Sequence, residues 1–128
     1  MNLKQLREKG AFVSIKPVKK TVTWKHRDAS DKEVEEEFDI HVIKLSYGMV
    51  ERISSSALMS GEEKKSANAQ LIVEAIRLGD DAKERFTYLE AYQLQPSLAR
   101  TLIVAIAEVN ALPMPDVEGD GDPKELAP

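Results

Sequence analysis

Apolar and polar residues alternate twice in the first third of the chain, at Val22 and Trp24 and again at Phe38, Ile40 and Val42, with Asp28-Ala29-Ser30-Asp31 between the two runs. Period-two patterning on either side of turn-forming residues predicts a β-hairpin over residues 19–46. The polar positions carry opposite charges on the two arms: Lys19, Lys20, Lys25 and Arg27 before the turn, and Glu33, Glu35, Glu36, Glu37 and Asp39 after it. Opposite charges across an antiparallel pair contribute roughly 0.2–1 kcal/mol each, so charge favours the pairing. A one-residue slip turns every side chain to the other face, so the predicted register sets Val22 and Trp24 on the face of Phe38 and Ile40. A two-stranded ribbon alone is marginal in water, and the rest of the chain must cover that face.

Before the hairpin, Asn2 to Lys9 predicts a short helix with Leu3 and Leu6 on one side and Gly10 at its end. Such a helix is too short to be stable unless it docks. Ala11 to Lys16 alternates in the manner of a strand or extended segment, stopped by Pro17, which cannot donate to a ladder. After the hairpin, Ser46 is placed to cap a helix over Tyr47 to Leu58, where Val50, Ile53 and Ala57 share a face. Gly61 to Leu78 has two readings: Ala67, Leu71, Ile72, Ala75 and Ile76 fit a helix, while Leu71-Ile72-Val73 with Ile76 and Leu78 fits a buried strand. Periodicity alone does not decide between them.

Gly79 to Lys83 reads as a turn, and Thr87-x-x-Glu90 has the form of a capping box, with Phe86 placed as its hydrophobic staple. Gln95-Pro96-Ser97 breaks that helix and opens the last one, whose face is Leu98, Leu102, Ala105, Ile106 and Val109, ending at Asn110. Ile103 and Val104 widen the stripe, which points to deep burial or to contact with another chain. The candidate partner-binding residues are therefore Leu98, Leu102, Ile103, Val104, Ile106 and Val109, and self-association is expected. From Leu112 onward, proline, glycine and acidic residues cannot offset the entropy of ordering, which predicts a disordered tail over 112–128 after a single domain over 1–111.

Composition narrows the function classes. The chain has 128 residues, enough for one domain with a real core, and no cysteine, so it has no disulfide framework and no thiolate metal site. The absence of cysteine fits a reducing cytoplasm. The first ten residues lack the apolar stretch of a signal peptide, and no apolar run approaches the roughly 18–20 residues of a membrane span, so a soluble protein without membrane contact is expected. The net charge of −4 hides a basic N-terminal end, where Lys4, Arg7, Lys9, Lys16 and the basic residues of the first strand face Glu8 alone. The partner strand supplies the balancing acids, which argues against nucleic acid as the partner.

The search for reactive groups is mostly negative. His26 and His41 are the only histidines, both at strand positions among charged neighbours, and they read as solvated sheet residues. No glycine-rich phosphate loop, nucleophile elbow or zinc spacing is present. Asp116-Val117-Glu118-Gly119-Asp120-Gly121 loosely resembles the start of a calcium loop, but Ala127 stands where the bidentate acid belongs. Consecutive strand residues point to opposite faces, so Glu35 to Glu37 makes a charged face rather than an acid/base pair. Neither an enzyme nor a metal or other cofactor is expected.

The order of short motifs carries a resemblance. Gly10-Ala11-Phe12-Val13, Pro17 to Lys20 leading into Val22-Thr23-Trp24, Phe38 to Val42 into Leu45-Ser46-Tyr47, Phe86-Thr87 and Ala105 to Asn110 together resemble the tail assembly chaperones of long-tailed, lambda-like bacteriophages. The resemblance covers roughly residues 3 to 110. It implies a second hairpin from Leu71 to Leu78 and Glu84 to Phe86, and so an α+β fold: a small antiparallel sheet with the N-terminal hairpin at its centre, packed by helices from the C-terminal half. The acidic turn of such proteins usually has a glycine after the acids, where this chain has Ala82-Lys83 and places Gly79 before them.

In function, the resemblance implies a morphogenesis protein made in the host cytoplasm and absent from the mature virion. Its partners would be the tape-measure protein and the tail-tube protein. Such chaperones are often made in two lengths through a −1 ribosomal frameshift, and Asp122-Pro123-Lys124 can be encoded as GAC-CCA-AAG, which contains a slippery heptamer. Two other classes stand beside this one: a small head-tail or tail joining protein that stays in the particle, and a nucleic-acid-binding regulator resting on the basic N-terminal end.

Overall fold

Strand β1 (Val18–Arg27) and strand β2 (Glu33–Val42) pair antiparallel along their whole length in the computed structural model, which describes residues 1–61 and 65–112. The expected disordered tail beyond Leu112, with the calcium-loop residues, lies outside the described residues. Val22 stands opposite Phe38 and Lys20 opposite Ile40, so Val22, Trp24, Phe38 and Ile40 share one face, as the alternation requires. The turn is closed by Asp28, whose N–H donates to Lys32 O at 2.9 Å and whose side chain accepts from the Ser30 and Lys32 N–H groups. Asp31 takes the left-handed conformation at φ 63°, which aspartate tolerates better than most residues.

Strand β3 (Ile76–Arg77) completes the sheet in the order β1-β2-β3, which puts β2 in the middle. Helices α2 (Tyr47–Ala57), α3 (Ala67–Ala75), α4 (Tyr88–Tyr92) and α5 (Pro96–Asn110) follow the hairpin and complete an α+β fold. The caps fall where the sequence places them: Ser46 accepts from Met49 N–H, and Thr87 and Glu90 form a reciprocal capping box. Pro96 opens α5 at a position where a missing N–H costs nothing.

The second hairpin implied by the resemblance is corrected. Residues 67–75 are helical, capped by Ser66, and the chain turns extended only at Ile76. The apolar side chains satisfy both periods in succession, because Ala69, Ile72 and Ala75 reach the core from the helix and Ile76 reaches it from the strand. Of the hairpin only a closing pair remains, in which Leu78 and Glu84 exchange two backbone hydrogen bonds at 2.8 and 3.1 Å. Ala11 to Lys16 likewise forms no strand.

Helix α5 lies across the sheet, held at one end by Trp24 Nε1 donating to Ser97 Oγ at 2.9 Å and at the other by Lys20 Nζ and Glu108 at 2.7 Å. Ile40, Val42, Ile72, Ile76, Leu102 and Ile106 are the largest fully buried side chains. Burial of each contributes roughly 1.5–3 kcal/mol. Leu112, expected to begin the tail, instead donates its N–H to Ala107 O and packs on the core, after Ala111 ends the helix at φ 53°.

Candidate partner interface

The widened stripe of α5 is mostly interior. Leu102, Ile103 and Ile106 are 1, 6 and 1% exposed, and Leu98 and Val109 are half-buried against the same core. The width has a plain cause: α5 touches β1 on one side and α3 on another, so it needs more than a single-sided stripe. Val104, half-buried and not packed on the core cluster, lines a surface feature. With Val22 and Ala105 it floors a shallow groove of about 320 Å³ between α5 and the outer side of β1, rimmed by Thr21, Thr101 and Arg100.

Apolar surface that the core does not use lies elsewhere. Leu58 is 87% exposed at the end of α2, with Met59 beside it, and Leu89 and Tyr92 are 61 and 65% exposed on α4. Hydrogen bonds bring these elements together. Lys65 N–H donates to Ser56 O, Ser66 N–H donates to the Tyr88 hydroxyl at 2.9 Å, the Lys65 ammonium sits 5.6 Å from the centre of the Tyr88 ring, and Tyr88 stacks on Tyr92. The pattern that hid them from the sequence is ordinary: α4 is short, its one fully buried residue is the small Ala91, and a helix of five residues is too brief to show which face is apolar.

The opposite face of the hairpin is charged. Asp39 accepts from Thr21 Oγ1 at 2.6 Å and lies 3.5 Å from Lys19 Nζ. The Thr21 hydrogen bond, aided by the Lys19 charge and opposed by partial desolvation, holds the Asp39 carboxyl below its ordinary value. His26 is not the solvated residue that its charged neighbours suggest. Its ring stacks on Trp24 with centroids 3.6 Å apart, bonds Glu36 at 2.7 Å, and leaves 11% of the side chain exposed. Near β3, Arg77 bonds the Val73, Glu74 and Ile76 carbonyls, and burial, with Arg85 nearby, lowers its pKa despite Glu74.

Among the described residues, no three histidine, aspartate or glutamate side chains gather as a metal site would need, and no helix is long and apolar enough to cross a membrane. Exposed apolar and aromatic side chains thus stand at the end of α2 and on α4. The chain matches the model of a family described as phage tail assembly chaperone over residues 4–110, and it belongs to that family. No curated protein and no solved structure matches it.

Proposed function

We propose that this chain is a non-catalytic chaperone that binds the tape-measure protein in the host cytoplasm, helps recruit tail-tube subunits around it, and is left out of the mature virion. The observation that carries this reading is the family match over residues 4–110. The surface supports it in kind. A long helical client exposes an apolar stripe, and Leu58, Met59, Leu89 and Tyr92 are apolar groups that the chain's own core leaves available to cover one. Several copies along one client would add avidity without any single strong contact. A frameshifted longer form belongs to the same proposal.

The experiment is affinity capture of the tape-measure protein by the tagged chain from an infected or co-expressing cell, with mass spectrometry of purified particles beside it. Capture of the tape-measure protein and absence of the chain from particles is the expected result. Stoichiometric presence in particles would instead identify a joining protein.

A further inference from the structure

We propose that the N-terminal arm of one copy adds a strand to the free edge of β1 in a second copy, the exchange being reciprocal. The inference rests on the arm and the edge alone and does not depend on the chaperone reading.

The edge is real in the backbone. The Asp28–Lys32 bond makes that pair a hydrogen-bonded one, and alternation along an antiparallel ladder then turns the N–H and C=O groups of Lys19, Thr21, Thr23, Lys25 and Arg27 away from β2. Among the described residues nothing pairs with that side. A ten-residue open edge is a template for another strand.

The arm is the matching half. Residues 1–17 are all exposed, and they hold Leu3, Leu6, Phe12, Val13 and Ile15, with Ile15 at 92%. The arm is nonetheless built: α1 (Leu3–Glu8) has a reciprocal Asn2/Gln5 capping box at its start and Gly10 at φ 82° beyond its end, yet it buries no residue. Behind it, Gly10 to Ile15 is uncharged, with Ala11, Val13 and Ile15 on one side of an extended chain. Laid on the β1 edge, that side faces the groove floored by Val22, Val104 and Ala105.

Two alternatives fail on chemistry. Pairing β1 with β1 across a two-fold centred on Thr23 would set Lys19 against Arg27, so the edge favours an uncharged strand over its own copy. Folding the arm back onto its own edge would need a two-residue loop at Lys16-Pro17. Type I′ needs a positive φ at both loop residues, which Pro17, fixed near −65°, does not adopt, and type II′ needs one at the first, where Lys16 carries a Cβ and glycine is favoured. Reciprocal exchange buries both arms and both grooves, moving the contact toward the roughly 800 Å² per partner of a stable interface.

The test uses the full chain. Sedimentation across a wide concentration range should show a dimer, and Val13→Asp, in the arm, and Thr23→Pro, which removes one outward N–H, should each weaken it about tenfold or more while leaving the melting curve of the body unchanged. Because the chain has no cysteine, Ser14→Cys can be mixed with Thr21→Cys, Thr23→Cys or Lys25→Cys in turn. Neighbouring strands set Cα atoms about 4.5–5.5 Å apart, within disulfide range, so at least one mixture should give the mixed disulfide. A chain that is monomeric throughout, a dimer indifferent to Val13→Asp, or no mixed disulfide from any pairing would overturn the proposal. An arm that binds only a different protein would appear as the first of these.

Discussion

The side-chain oxygen of Asn110 accepts the backbone N–H of Leu45 at 2.6 Å, tying the last turn of α5 to the segment that leaves β2. The same side chain donates to Ile43 O and Ile106 O, so one amide satisfies a donor and two acceptors at the joint between sheet and helix. Replacing it by alanine leaves a half-buried N–H without a partner, a loss of roughly 1–3 kcal/mol. Asn110→Ala should therefore lower the denaturant midpoint by about 2 kcal/mol equivalent without changing the slope. An unchanged midpoint would show that water replaces the amide.

Ile103 and Val104 should separate cleanly. Ile103→Asp puts an unpaired carboxylate into the core and should unfold the domain, whereas Val104→Asp, on the groove floor, should cost under about 1 kcal/mol. Trp24→Ala should cost about 3 kcal/mol, because it removes the stack on His26 and the bond to Ser97 together. Circular dichroism melts of the three variants measure this order directly.

Ala82 occupies a left-handed position at φ 58° in the turn after α3, where its N–H closes on Gly79 O at 3.0 Å. Holding a residue with a Cβ there costs roughly 1–2 kcal/mol, part of which glycine returns as chain entropy when unfolded. Ala82→Gly should thus raise stability by about 0.5–1 kcal/mol. A lower melting temperature for this variant would mean that the half-buried methyl contributes more than the strain.

Asp39 supplies the acid-side dependence. Its pKa is lower folded than unfolded, so its stabilising contribution is present above the unfolded value of about 4 and is lost as pH falls through the folded one. Thr21→Val removes the largest cause and should move the Asp39 carboxyl midpoint upward in an NMR titration, Lys19→Ala by less. An unmoved midpoint in Thr21→Val would assign the shift to Lys19.

The hairpin was legible because three independent signals agreed: alternation at Val22 and Phe38, the Asp28 turn, and opposite charges on the two arms. Caps at Ser46 and Thr87 were legible because they are local chemistry. Residues 71–78 were not, because Ile72 and Ile76 are buried under either period, and the choice of helix was made by packing of α3 against α5 and α4. The α5 stripe misled for a related reason. Its breadth reports two intramolecular neighbours, and a one-dimensional pattern does not distinguish a second internal contact from a partner chain. The exposed apolar residues Leu58, Leu89 and Tyr92 gave no sequence signal of their own, since single exposed apolar side chains are common.

The central claim is that this chain keeps a long apolar client in solution. The direct measurement is the fraction of the tape-measure protein that remains in the supernatant after high-speed sedimentation, expressed alone, with the chain, and with the Leu58→Asp/Leu89→Asp/Tyr92→Asp variant. Exposed apolar patches beyond a few hundred Å² drive aggregation, so the client alone should pellet, the intact chain should hold most of it in solution, and the triple variant, folded by circular dichroism, should not. A client that stays soluble alone, or one that pellets equally with the intact chain, would contradict the account.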